Sequence, residues 1–563
     1  YHHAYPITTF YQEWGAAVLG LFAMPLLLTQ RYWQQPQVPR IVMLPVGLMM
    51  LVLLQFLLGK LAYFDQALLL TLYLMWAALL MLLGQRMREE LGLPRLVTVL
   101  SVFLLLGAEL NAVAGILQHY RWHTWLDSVV TVKTSVAVYG NMAQPNHFAN
   151  YITLGLVSLG LLFMRDKLRV WQLIPLAVPL LFVLVLSGSR SAWLYMLVMN
   201  ILAYMWLRRD PSGKPLLRYT VLLLLGFGLM HWVVQLPWLS VGGGNLTPVQ
   251  RMSGEVYSGA IRLYLWRESW HIFTQFPLLG AGFGQFAWQH FQWVQQLQVI
   301  GITGLYNNAH NLVMHLAAEM GLAGVAILLA SLALWLRQAW RAEHTLYHWW
   351  GYALLSVLAI HSLLEYPLWY AYFLGVAAVT LGVMDGTSYR LELRNLGRLA
   401  VASMLLLGAV SMAQLAVGYR TLQGLMAMSP ASATGNYFEQ LNKKLVAVND
   451  KPMLHPYAEY FMSSMIEPSQ EQLEAKLALN ERVMHFVPVG PVVYRQALLL
   501  ALSGQQEAAK VQMERAIWSY PGDFSAARRE LSERARKDPA RFAALLEFAV
   551  QKNEEQRSGV HTK

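Results

Sequence analysis

Twelve apolar runs of 16 to 27 residues, most of them separated by short connections, occupy residues 11–419 and limit the fold more than anything else in this sequence. They lie at about Tyr11–Thr29, Ile41–Gly59, Asp65–Gly84, Leu96–Gln118, Phe148–Met164, Val170–Ser187, Ala192–Leu207, Tyr219–Trp238, His310–Leu336, Trp349–Leu364, Leu368–Asp385 and Leu399–Tyr419. Crossing the hydrocarbon of a bilayer as a helix takes roughly 20 mainly apolar residues. Lipid offers the backbone no hydrogen-bond partner, so such runs fold as helices that satisfy their own N–H and C=O groups. The expected fold class is all-α: a polytopic helical membrane protein of about twelve spans.

Charge marks off a second region. From Arg420 to Lys563 there are 18 Lys or Arg and 16 Asp or Glu, about 24% of positions and ordinary for a soluble chain; the first 419 residues hold 24 and 15, about 9%. The expected organisation is a membrane domain at 1–419, with a long outer loop at 239–309, followed by a soluble α-helical domain at 420–563. The net charge of +11 does not point to nucleic acid, a reading that needs a basic face or stripe, because most of the excess lies in short loops between apolar runs. The absence of cysteine excludes disulfides, thiolate zinc sites and a Cys nucleophile.

Those loops also carry the orientation signal. One alternate set holds Arg31 and Arg40, Arg86, Arg88 and Arg95, Arg165, Lys167 and Arg169, Arg208, Arg209, Lys214 and Arg218, Arg337 and Arg341, and Arg390, Arg394 and Arg398, which makes 17 basic residues. The other set, including the Lys60 turn, His119–His147, Gly188–Ser191, residues 239–309 and Glu365–Pro367, holds 7 in about twice the length. Basic loops stay cytoplasmic, so the second set and the C-terminal domain are expected outside. Tyr1 then falls outside as well, which leads to the expectation of one more span ahead of it; a cleaved signal peptide is the alternative.

Polar residues are costly at membrane depth and mark function where they gather. Here they gather on the outer face in four places. Gln144-Pro145-Asn146-His147 offers amides that could hold sugar hydroxyls or phosphate, or simply a helix cap at Asn146. Ser187-Gly188-Ser189-Arg190-Ser191 puts an arginine and three hydroxyls at a helix N-terminus, as an anion site would, although Arg190 could also only snorkel. The segment from Arg251 to Gln298, rich in Trp and Phe around Arg262 and Arg267, reads either as amphipathic helices at the outer leaflet or as a structural aromatic belt. Asn307-Asn308-Ala309-His310-Asn311 places a histidine among asparagines at a helix mouth, the residue type suited to general-base work, although a lone histidine is more often structural.

At these residues the sequence resembles the O-antigen ligase and polymerase superfamily, and within it the pilin-type bacterial protein O-oligosaccharyltransferases. The resemblance is carried by Tyr5-Pro6 with Phe10-Tyr11-Gln12-Glu13-Trp14, by Gln144-Pro145-Asn146, by Ser187-Gly188-Ser189-Arg190, and by Arg262 through Gly284 with Pro277 to Gly282. It continues in Ala309-His310-Asn311 with Glu319-Met320-Gly321 and in Glu365-Tyr366-Pro367-Leu368-Trp369-Tyr370. What it implies is transfer of a glycan, outside the bacterial inner membrane, from an undecaprenyl-pyrophosphate carrier to Ser or Thr hydroxyls of pilin or other exported proteins, with no metal and no cofactor. The active site and C-terminal domain would face the periplasm.

Read with that implication, His310 is the expected base for the acceptor hydroxyl, and Arg190 and Arg262 are the expected pyrophosphate ligands, whose planar forks suit phosphate oxygens. Arg267 and Arg251 are secondary candidates. Gln144, Asn146, Asn311 and Tyr366 would position donor or acceptor, and Glu365 would orient His or Arg. Glu109, a carboxylate in the fourth run, is expected to be structural and hydrogen-bonded to a neighbouring helix. Scattered acidic residues, with no Asp-x-Asp pair in the membrane region, argue against a metal. No glycine-rich nucleotide motif is present.

After Arg420, Tyr494 to Ala508 with Arg515-Ala516-Ile517 and Tyr520-Pro521 resembles one tetratricopeptide-type helical hairpin, suited to holding an acceptor peptide or to capping the membrane domain. Two other functions stay open from sequence. One is an O-antigen ligase acting on lipid A-core; the other is a polytopic lipid-linked glycan transporter or flippase, against which stands the lack of repeated halves.

Overall fold

The computed structural model describes residues 7–239, 256–297, 302–390, 393–428 and 437–558. Its helices, in chain order, are α1 Phe10–Ala23, α2 Gln30–Gln34, α3 Met43–Leu57, α4 Phe64–Leu91, α5 Leu93–Tyr120, α6 Pro145–Met164, α7 Val170–Leu186, α8 Ser191–Arg209 and α9 Lys214–Val233. They continue as α10 Val256–Gln275, α11 Phe286–Leu297, α12 Leu312–Arg341, α13 Leu346–Ser362, α14 Ala371–Met384 and α15 Arg394–Met426. The last seven are α16 Tyr437–Asn449, α17 His455–Ser464, α18 Leu473–Phe486, α19 Gly490–Leu502, α20 Gln506–Ser519, α21 Phe524–Lys537 and α22 Pro539–Ser558. Short 3-10 turns join some of them, and the sheet among the described residues is one pair of three-residue strands.

Every one of the twelve apolar runs is helical. Among the described residues, eight helical segments are both long and apolar enough to cross a membrane: Phe10–Leu28, Arg40–Leu57, Phe64–Leu91, Leu93–Tyr120, Pro145–Met164, Pro211–Val233, Leu312–Arg341 and Asn395–Met426. The other four, α7, α8, α13 and α14, are shorter or less apolar. Of these, α13 faces protein, burying Trp349, Trp350, Leu354 and Val357, whereas α7 and α8 leave Trp171, Ile174, Leu197 and Ile201 exposed.

Helix α6 is the centre of the bundle, with almost every residue from His147 to Leu162 buried. Around it, outer helices leave Phe103, Leu222 and Leu406 exposed, the surface expected where the solvent is hydrocarbon. Small residues set the closest helix approaches. A methyl group on Gly382 of α14 would stand 2.0 Å from the Met81 carbonyl oxygen of α4, and one on Gly155 of α6 would stand 2.3 Å from Ala108 Cβ of α5. Without a hydrophobic driving force between helices in lipid, such close packing is a main source of association.

Helix α12 is broken at Gly321, whose φ of 62° and ψ of −160° interrupt the helical run. The freed backbone groups are taken up by the segment 277–284. Ala281 N–H donates to Ala318 O and Gly282 N–H to Glu319 O, while Leu322 and Ala323 N–H donate to Pro277 O and Leu278 O. Gln55 of α3 adds a clamp, donating from Nε2 to Leu279 O and Glu319 O and accepting from Phe283 N–H. Irregular backbone in a membrane protein is stable where protein supplies its partners in this way.

The connections that the charge pattern grouped together also meet in space. Strands β1 Gln37–Pro39 and β2 Ser388–Arg390 pair antiparallel, and Asp385 beside them accepts from Ile41 N–H and Thr387 N–H. Arg88 donates to the Val383 and Asp385 carbonyls at the same end. At the opposite end, the Lys60 ammonium donates to Gly280 O.

Helix α15 runs without interruption through residue 420. Its Tyr419, Leu422 and Leu425 pack with Leu441, Leu445 and Val448 of α16 and with Leu72 of α4. Helices α18 to α22 share another core, to which Phe291 of α11 belongs. Within it α19 and α20 form a helical hairpin, turned at Gly504 with φ of 82°, a conformation that suits glycine.

Candidate active site

Glu365 lies in the turn between α13 and the 3-10 turn Pro367–Trp369, its side chain 3% exposed. Three donors from three other parts of the chain converge on it. Asn146 Nδ2 and an Arg262 guanidinium nitrogen donate to Oε1 at 2.7 and 2.6 Å, and His310 Nδ1 donates to Oε2 at 2.9 Å. Burial would push this carboxyl upward; the hydrogen bond from His310 and the positive charges of His310 and Arg262 outweigh it and bring the pKa down to about 2.

Local sequence explains why each partner is in place. Pro145 opens α6, and Gln144, not Asn146, is the capping residue: Gln144 Oε1 accepts from His147 N–H at 2.6 Å. That leaves the Asn146 amide to bridge, donating to Glu365 and accepting from Ser189 Oγ at 2.8 Å. Ser189 is held by the tight turn before α8, where Gly188 has φ of 63° and Ser187 Oγ accepts from Ser189 N–H. Arg190 follows directly, half-buried at the start of α8.

His310 occupies the left-handed region, φ 50°, and its neighbours hold it there. Asn308 Oδ1 accepts from His310 N–H, and Asn311 Oδ1 caps α12 by accepting from Val313 and Met314 N–H. Asn311 Nδ2 donates to Leu363 O, which ties this turn to the Glu365 turn. Helix α10 is tied to the same place, because Trp266, one turn after Arg262, donates from its indole to Ala309 O at 3.0 Å. The Tyr366 ring stands edge-on to His310 at 5.2 Å and stacks on Tyr370.

The structure thus brings Asn146, Arg262, His310, Glu365 and Tyr366 together and places Gln144 and Asn311 beside them as helix caps. Arg267 is exposed, about 140° around α10 from Arg262 at 3.6 residues per turn. It shares an outward stripe with Leu263 and Trp270. Arg251 and the Tyr5-Pro6 pair lie outside the described residues. The hydrogen bond expected of Glu109 is not seen: its Oε1 is buried without a partner.

Several polar partners escape a reading of the sequence alone. Ser189 is one, because a serine in a serine-rich turn looks like any other. Behind Asn146, His147 Nδ1 and His361 Nε2 are 2.8 Å apart, and His361 Nδ1 is 2.9 Å from the Tyr195 hydroxyl, a buried line leading into the bundle. The one signal for it was the spacing of four between His361 and Glu365. Two buried histidine–carboxylate pairs flank the centre: His290 with Glu268, and His315 with Glu319, whose other contacts are Gly284 and Phe286 N–H. Among the described residues no three His, Asp or Glu side chains stand together as a metal-binding group.

Chemically, the centre holds a histidine by Nδ1 against an ionised carboxylate. That fixes the tautomer and leaves Nε2 to accept a proton, the same logic by which a carboxylate orients a catalytic imidazole elsewhere. One guanidinium nitrogen of Arg262 is used by Glu365, and a guanidinium has five N–H donors in all.

Comparison with known families gives three matches in order along the chain. Residues 175–329, which hold Arg190, Arg262 and His310, match the O-Antigen ligase family. Residues 138–163, which hold Gln144 and Asn146, match the Protein glycosylation ligase family. Residues 349–534, which hold Glu365 and much of the C-terminal helices, match the family described as virulence factor membrane-bound polymerase, C-terminal. Among individual proteins, the chain is 27% identical over 422 residues to a general O-oligosaccharyltransferase of Acinetobacter baylyi, covering 73% of this chain and 72% of that one. It is 25% identical over 245 residues to a ComP-specific O-oligosaccharyltransferase of the same organism, covering 42% and 41%. With three family matches in order along the chain and a relative aligned over 73% of it, this chain is similar to the O-antigen ligase family and to the protein O-oligosaccharyltransferases, which are glycosyltransferases.

Proposed function

We propose that this chain transfers a preassembled oligosaccharide from an undecaprenyl-pyrophosphate carrier to Ser or Thr hydroxyls of exported proteins, pilin among them. The observation that carries the reading is the Glu365 carboxylate gripping His310 and Arg262 at once. His310 Nε2 takes the proton of the acceptor hydroxyl as its oxygen bonds to the anomeric carbon, and the bond from that carbon to the pyrophosphate oxygen breaks. Arg190 and the remaining N–H groups of Arg262 receive the negative charge that develops on the leaving group. Attack opposite the leaving group inverts the anomeric centre.

Gln144, Asn146, Asn311 and Tyr366 shape the floor on which donor and acceptor sit, and Arg267, on its outward stripe with Leu263 and Trp270, meets the lipid tail or the outer leaflet. No metal is required in this reading: Glu365, Glu268 and Glu319 are each already paired with a histidine or arginine. All twelve apolar helices cross the inner membrane with the Glu365 centre facing the periplasm, supported by the segregation of basic loops. The α19–α20 hairpin is of tetratricopeptide type and belongs to a periplasmic domain at 420–563.

The test is incubation of the purified protein with an undecaprenyl-pyrophosphate glycan and either pilin or lipid A-core, reading the mass gained. Gain on pilin alone, undiminished by EDTA, is expected. Gain on lipid A-core alone would assign the chain to the ligases, and loss to EDTA restored by Mg²⁺ would overturn the metal-free reading.

A further inference from the structure

A groove of about 780 Å³ lies between α21 and α22 in the C-terminal helices, away from every residue of the Glu365 centre in sequence and contact. Its walls carry Arg528, Arg529, Arg536 and Arg557 against one carboxylate, Glu533. Helical spacing explains the concentration. Arg529 and Arg536 are seven residues apart on one face of α21, with Ser525 and Ser532 on the same stripe, and Asn553 and Arg557 are four apart on α22.

None of the four arginines has a carboxylate within ion-pair distance among the described residues, although the same helices pair Arg534 with Glu530 and Arg541 with Asp538. All four are exposed. A row of unpaired guanidiniums on two rigid helices is pre-shaped for carboxylates or phosphates, which it can hold bidentately. Among the described residues, the exposed large apolar side chains of the C-terminal helices and their turns, Val446, Met462, Met465 and Val511, are not among those lining the groove. A surface that docks on lipid headgroups uses such side chains as anchors, so their absence from the lining favours an extended peptide over a membrane.

We propose that this groove binds an acidic peptide segment of the protein acceptor, with Arg529 and Arg536 as its principal contacts. The inference rests on the transferase reading above, since only a protein acceptor gives the site a purpose in that reaction. It predicts affinity that falls with salt, as contacts between solvated charges do.

The full chain in phosphatidylcholine nanodiscs would be titrated with a short fluorescein-labelled peptide of alternating Glu and Gly, followed by anisotropy, with a Lys and Gly peptide as control. Binding of the acidic peptide alone, weakened roughly tenfold or more by R529E/R536E and likewise by R528E/R557E, is expected. Equal binding in both charge-reversed variants, or displacement of the peptide by phosphatidylglycerol vesicles that themselves bind more tightly, would overturn the proposal. A wild-type protein that glycosylates pilin but ignores the peptide sinks the groove assignment alone. One that binds the peptide but transfers no glycan to any protein leaves the groove and sinks the transferase reading.

Discussion

Replacing Glu365 by Gln keeps the shape of the side chain and removes the charge on which Asn146, Arg262 and His310 converge. Transfer is expected to fall about 100-fold, since a base without its orienting carboxylate loses both tautomer and position. His310→Ala should abolish transfer while leaving the chain folded and able to bind donor, at a melting temperature lowered by loss of the hydrogen bond to Glu365; full activity in that variant would remove His310 from the mechanism. The Glu365 carboxyl is lowered from 4.5 to about 2, so it contributes its stability in full above the ordinary carboxylate range and loses it as pH falls toward 2. Thermal melts between pH 6 and pH 3 should therefore drop more steeply in wild type than in Glu365→Gln, and parallel curves would show that the group is not depressed. Asn146→Ala leaves the Ser189 hydroxyl without its acceptor and should cost about 1–3 kcal/mol. At this scale His310, Arg262 and Glu365 were legible as residue types in sequence. The roles of Gln144 and Asn311 as caps were not, because an amide that caps a helix and one that holds a sugar have the same chemistry.

The break in α12 is the element that decides where the centre sits. Gly321 needs a positive φ, and a methyl group there would lie 2.5 Å from Gly280 N. Gly321→Ala should lower stability by about 2 kcal/mol or more, read as a drop in melting temperature in detergent; an unchanged melt would mean that the 277–284 segment can retreat. Trp266→Phe keeps an aromatic ring, smaller than the indole, and loses the donor to Ala309 O. It should slow transfer by about tenfold through misplacement of α10 beside His310, with stability changed by about 1 kcal/mol, a split measurable by comparing rate with melting temperature. Hydropathy located α12 but was blind to the break, because a helix interrupted by protein partners is as apolar as a continuous one, and α10 fell within the long loop, where only its aromatic residues and arginines marked it.

On the scale of the whole molecule, the C-terminal helices are bound to the membrane bundle by specific polar contacts. The Tyr63 hydroxyl donates to Glu459 at 2.6 Å, Arg482 completes that pair, and Asp65 accepts from Met453 N–H. Tyr63→Phe should loosen this seam, seen as faster release of the C-terminal fragment in limited proteolysis, and an unchanged digestion pattern would show the seam to be held by apolar packing alone. Charge density separated residues before and after 419, whereas α15 runs through that position and Phe291 of the long loop enters the core of α18 to α22. The sequence by itself determined the helical class and the positions of the apolar helices, because hydrophobic runs act through local composition. Only the tertiary structure decided that Asn146, Arg262, His310 and Glu365 meet at one carboxylate, because those residues span some 219 positions of chain and their contact depends on how helices pack rather than on what any one segment contains.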